Sequence, residues 1–118
     1  MKFVNLTPHA LNIKKNDDTI LTLPSESFVR ATQTQNKVKE IDNINFYETV
    51  YGKVEGLPEP QEGTIYVVSL ITKMACPGRD DLVTPGNLIR NEEGAIVGCE
   101  GLNMQGGLKN VSRLLQRD

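Results

Sequence analysis

Apolar and polar residues mix in short runs along most of this chain, each broken by turn chemistry before it can extend. Phe3-Val4-Asn5-Leu6 and Ala10-Leu11-Asn12-Ile13 are two such runs, separated by Thr7-Pro8-His9. Pro8 lacks a backbone donor and fits a kink between two strands. Asn16-Asp17-Asp18 signals a turn, Thr19 to Leu23 resumes extended chemistry, and Pro24-Ser25-Glu26 turns the chain again, so the beginning reads as a β-meander. Ser27 to Gln33 and Lys37 to Ile41 are further strand candidates, and Asn45 to Val54 holds the longest run of β-formers, with Gly52 marking a bulge.

The loop Gly56 to Gly63, rich in proline and glycine, cannot continue a sheet, and Thr64 to Ser69 then reads as a buried strand. Ser69 to Ala75 has room for two turns of helix with Ser69 as N-cap, stopped by Pro77 and Gly78. Leu82-Val83, Leu88 to Arg90 and Ala95 to Cys99 are strand candidates, and Asn91 to Gly94 is a hairpin turn. In the tail, Leu108, Val111, Leu114 and Leu115 recur at helical spacing and predict a final amphipathic helix. Many short strands with two short helices indicate a single domain over residues 1–118. Its class is α+β, mainly β: a barrel-like or sandwich-like antiparallel sheet.

A chain of 118 residues supports a modest core without staples. Its longest apolar stretches fall far short of the roughly 20 residues a membrane span needs, and Met1-Lys2 leads into no signal-peptide block. A soluble protein of the cytoplasm is expected. Thirteen basic residues against 15 acidic ones leave a formal charge of −2, which excludes a general field for duplex nucleic acid but permits a small anion held by two or three convergent donors. The two cysteines, Cys76 and Cys99, have no CxxC spacing and read as buried thiols.

Catalytic apparatus is not spelled out. His9 is the single histidine, and at a strand end its ring is expected to bond nearby backbone; no nucleophile elbow accompanies either cysteine. The acidic pairs Asp17-Asp18, Asp80-Asp81 and Glu92-Glu93 point to opposite faces when extended, so no metal is expected, and no phosphate-cradling glycine motif opens a helix. The arginines suit phosphate oxygens better than any other group here. Arg30 sits between Val29 and Ala31 in a strand candidate, Arg79 stands in the loop Cys76 to Gly86 beside Asp80 and Asp81, Arg90-Asn91 lies at a hairpin mouth, and Arg113 lies in the tail. Arg79 also reads as a loop pin paired with one of those carboxylates.

Three stretches carry a resemblance: Asn5-Leu6-Thr7-Pro8-His9-Ala10, Gly52 to Pro60, and Pro77-Gly78-Arg79-Asp80 through Pro85. From Phe3 to about Leu102 the chain resembles small proteins of bacteriophages and prophages, and it is similar to the Thoeris anti-defence sponges, which capture a cyclic ADP-ribose signal made by TIR-domain enzymes. That resemblance implies binding without turnover, no cofactor, and a homo-oligomer whose interfaces hold the cyclic nucleotide; some members also take up cyclic oligonucleotides. It further implies Arg30 and Arg113 on phosphates, Asn91 as a polar reader, and an aromatic contact to the base from Phe28, Tyr47, Tyr51 or Tyr66; Arg90 and Arg79 complete the candidate ligand-binding residues. The rival expectation is a phage structural or host-takeover interaction protein with no small ligand.

Overall fold

The computed structural model describes residues 1–104. In chain order these form β1 (Lys2–Asn5), β2 (Leu11–Lys14), β3 (Ile20–Leu23), β4 (Gln33–Ile41), β5 (Ile44–Tyr51), β6 (Thr64–Val67), α1 (Leu70–Ala75), β7 (Leu82–Arg90) and β8 (Ile96–Asn103). The fold is mainly β with one short helix among the described residues. The helix starts where the sequence puts it: Ser69 is extended and its hydroxyl accepts from the Thr72 amide, satisfying a donor that the first turn leaves open. The tail helix expected beyond Gly107 lies outside the described residues.

Six strands form one sheet in the order β1-β6-β7-β8-β2-β3. The sheet is mixed, which corrects the antiparallel expectation: β1–β6, β6–β7 and β2–β8 run parallel, while β7–β8 and β2–β3 run antiparallel. Parallel neighbours need long crossovers, and α1 with its loops supplies the one between β6 and β7. β7 runs unbroken through Pro85 and Gly86, where the sequence predicts a loop. It pairs with β6 up to Val83 and with β8 from Thr84, so the proline sits where the strand changes partner. Gly86 admits no side chain there, because a Cβ would collide with the Glu100 and Gly101 backbone.

The sheet's two edges meet. Beyond β3, Ser25 bridges Asn5 in parallel, the Glu26 amide donates to the Asn5 carbonyl at 3.0 Å, and the Val29 amide donates to the Leu6 carbonyl at 3.2 Å. The side chain of Asn5 is fully buried at this seam: Nδ2 donates to the carbonyls of His9 (2.8 Å) and Leu23 (3.0 Å), and Oδ1 accepts from the Thr7 amide (2.9 Å) and hydroxyl (2.6 Å). The result is a barrel-like sheet whose inner cluster draws on every strand: Phe3, Ile65, Val67, Val83, Leu102, Leu11 and Leu23. β6 is buried on both faces, so Tyr66 and Val68 pack outward with Val4, Leu6 and Leu82 beneath Val29, Leu57 and Cys76.

β4 and β5 stand apart as a two-stranded ribbon. Its tip, Asp42-Asn43, has positive φ at both residues (53° and 63°), as a type I′ turn requires. Its root is one antiparallel bridge between Arg30 and Glu55, plus the Gly52 amide on the Thr32 carbonyl. The strand expected over Ser27 to Gln33 therefore reduces to that bridge, and the irregularity falls at Val38, between Lys37 and Lys39, rather than at Gly52. Register divides the ribbon into two faces. Gln35 with Thr49, Lys37 with Glu40, and Asn45 with Tyr47 are bonded on one; Ile41, Ile44, Phe46 and Val50 lie exposed on the other.

Replacing Asn5 with alanine removes the side-chain partner of the Leu23 carbonyl and of the Thr7 amide and leaves a void at a fully buried position. Urea denaturation should show stability lowered by about 3 kcal/mol with the m-value unchanged, while Asn16→Ala in an exposed turn should change it by less than about 0.5 kcal/mol.

Candidate functional site

Two of the three described arginines are committed within the fold. Arg79 follows the turn after α1, and its Nε and Nη2 donate to both oxygens of Asp81, each at 2.9 Å. Asp81 is completely buried, and the guanidinium lies 5.9 Å from the centre of the Tyr66 ring, whose hydroxyl donates to the Glu59 carbonyl. The bond to Asp81 raises the Arg79 pKa against the opposing effect of burial. Buried Lys73 points Nζ at the Leu82 carbonyl, 2.6 Å away; desolvation lowers its pKa and the charge of Asp81 works the other way. This cluster fastens α1 to the start of β7.

Arg90 and Asn91 organise the β7–β8 turn. Arg90 Nη1 donates to the Gly94 carbonyl at 2.8 Å, and Asn91 Oδ1 accepts the amides of Glu93 (2.9 Å) and Ala95 (3.0 Å). Arg30 is different. Its backbone is pinned to Glu55 at the ribbon root, and its exposed guanidinium lies 5.4 Å over the Phe28 ring. Among the described residues it is the one arginine whose guanidinium makes no hydrogen bond or ion pair. Phe28 is 47% exposed, so the pair presents a cation and an aromatic ring on open surface. Arg113 lies outside the described residues. Of the aromatic candidates, Tyr66 is buried and committed, and Tyr47 and Tyr51 belong to the polar face of the ribbon. The sequence-predicted residues thus fall in three separate places: Arg79 with Tyr66, Arg90 with Asn91, and, on open surface, Arg30 with Phe28.

Concave regions lie elsewhere, two of them lined by residues of β2 and β8 or the turn after β2. One, of about 380 Å³, is polar and lined by Lys14, Lys15, Asn16, Asp18, Asn87 and Glu100, with Lys14 paired to Asp18 at 3.3 Å. The other, of about 550 Å³, is largely apolar and opens between β2, β7 and β8 with His9 at its margin. His9 corrects an expectation: its carbonyl accepts from Asn5 and Thr7, but its ring has no hydrogen-bond partner among the described residues. The sequence hides this cavity because its walls come from segments some 85 positions apart, as in the bond from Asn12 Nδ2 to the Val97 carbonyl. Cys99 lies buried at the cavity and Cys76 is half-buried; burial raises both thiol pKa values, opposite to what an activated nucleophile requires. No group of three or more metal-ligating side chains assembles among the described residues, and no helix there is long and apolar enough to cross a membrane.

The chain matches no protein-family model, no curated protein and no solved structure.

Asp81→Asn leaves Arg79 and Lys73 without their anion in a largely buried setting. Chemical denaturation should register a loss of about 3 kcal/mol, whereas Arg90→Ala, at an exposed turn, should cost under about 1 kcal/mol.

Proposed function

We propose that the protein captures a small, base-bearing anionic nucleotide of the cyclic ADP-ribose class and holds it without cleaving it. It would thereby act as an anti-defence sponge in the cytoplasm of an infected bacterium. The observation that carries this reading is the Arg30–Phe28 pair, whose guanidinium is free to fork onto phosphate oxygens while an adjacent ring offers a stacking face. The class of ligand is the one that the sequence resemblance implies.

Magnitudes then decide the assembly. One charged hydrogen bond contributes roughly 1.5–3 kcal/mol and one stacked base about 1–3 kcal/mol, whereas nanomolar capture needs about 12 kcal/mol. A single open pair reaches at most about half of that, so the site requires a second subunit bringing its own pair. One face of the ribbon rooted at Arg30 carries exposed Ile41, Ile44, Phe46 and Val50 among Thr34, Asn36, Lys39 and Glu48, and a second copy can sit on it. The same face favours the rival reading, an interaction protein of the phage without a small ligand.

Native mass spectrometry of protein purified alongside an active TIR enzyme separates the two: a sponge carries the nucleotide away and releases it intact on heating. Light scattering at micromolar concentration should give at least twice the monomer mass. In calorimetry with cyclic ADP-ribose isomers, Arg30→Ala should weaken binding about ten- to 150-fold without unfolding the protein, while Lys14→Ala should change it little. Absence of binding by the wild type would falsify the sponge reading; wild-type affinity in Arg30→Ala would remove this site alone.

A further inference from the structure

We infer that the cavity between β2, β7 and β8 is a small-molecule site for a flat aromatic acid, separate from the Arg30–Phe28 pair and independent of the sponge reading. Its volume of about 550 Å³ falls within the roughly 300–1,000 Å³ typical of such sites. Its walls explain an otherwise costly exposure: Leu88 (52%), Ile96 (55%) and Val97 (45%) leave apolar surface in water, and all three line this one concavity with Leu11 and Pro85.

Chemistry narrows the occupant. Thr7 and Asn12 also line the cavity, but their side chains are already engaged, Thr7 with Asn5, and Asn12 with Thr22 and the Val97 carbonyl. His9 is the polar lining side chain left with no partner among the described residues, so its ring N–H is available to an acceptor on a ligand. Among the described residues, neither carboxylate nor lysine nor arginine lines the cavity. A ligand cation would find no counter-charge there, whereas a carboxylate can take the imidazole hydrogen bond with its other oxygen in solvent. Flatness follows from Gly98, where the Asn12 carbonyl occupies the space a side chain would need, so the floor between β2 and β8 is bare backbone. A nucleotide is a poor fit, since no fixed cation awaits its phosphates.

The test uses the full-length protein and amide NMR titration with 2-naphthoate, with 2-naphthylmethylammonium as the charge control. Saturable shifts at Ala10, Gly98 and Cys99 are expected with naphthoate, and binding at least tenfold weaker with the ammonium. His9→Ala should lower naphthoate affinity about five- to tenfold, and Val97→Trp, at an exposed position, should abolish binding while leaving the rest of the spectrum native. No saturation at millimolar naphthoate, shifts on Phe46 and Val50 of the ribbon instead, or undiminished binding to Val97→Trp overturns the site. Equal affinity for the two probes, or wild-type affinity in His9→Ala, overturns the acid as its ligand. None of these outcomes bears on nucleotide binding at Arg30.

Discussion

The closure of the six-stranded sheet depends on Asn5. At this point β1 ends, the Thr7–His9 turn begins and β3 returns, so three segments bring polar backbone together around one fully buried side chain. A carboxamide is the side chain that offers two donors and two acceptor lone pairs from one planar group, and Asn5 uses both ends: its amide holds Leu23 and His9, its oxygen holds Thr7. An aspartate could not donate to the two carbonyls, and a leucine would offer nothing to the Leu23 carbonyl or the Thr7 amide. Ser25 adds a second tie by donating to the Thr7 carbonyl at 2.6 Å. With the seam closed, neither β1 nor β3 is left as a bare edge at that point.

A second polar device works at the opposite side of β6. The Arg79–Asp81 pair is buried enough that losing either partner is expensive, yet its formation recovers only part of the desolvation cost, so its value lies in fixing one geometry. It ties the turn after α1 to β7, and Lys73 ties the helix to the same strand through the Leu82 carbonyl. Residues that look like ligand readers in a linear sequence are fasteners in three dimensions: Arg79 for the crossover, Arg90 and Asn91 for a turn. Chemistry available to a partner is left to surfaces the fold does not consume.

Local features were legible in the sequence and pairings were not. Ser69 as N-cap with Pro77-Gly78 beyond marked α1, because capping and helix termination are short-range effects. Asn91 to Gly94 marked a turn for the same reason. The parallel ladders escaped, since a strand's composition does not say which distant strand lies beside it or in which direction. Pro85 misled because a proline usually ends a ladder, whereas here it falls where β7 exchanges one neighbour for another. Asn45 to Val54 was legible as extended but not as solvent-facing, because β-formers are chosen alike for a core strand and for an exposed apolar face. Arg30 was visible as a rigidly mounted cation; that it would share its surface with Phe28 required the turn of the chain at the ribbon root.

The ribbon is an excursion between β3 and β6 that leaves and re-enters at Arg30 and Glu55, two residues already hydrogen-bonded to each other. None of its residues contributes to either core cluster. The domain is thus a closed chassis carrying a limb that its core does not use. The limb's length, tip and apolar face can be rewritten, or exchanged for a short turn across its base, without touching the hydrogen bonds that shut the barrel. Variation in what this architecture meets can accumulate there while the seam at Asn5 stays unchanged.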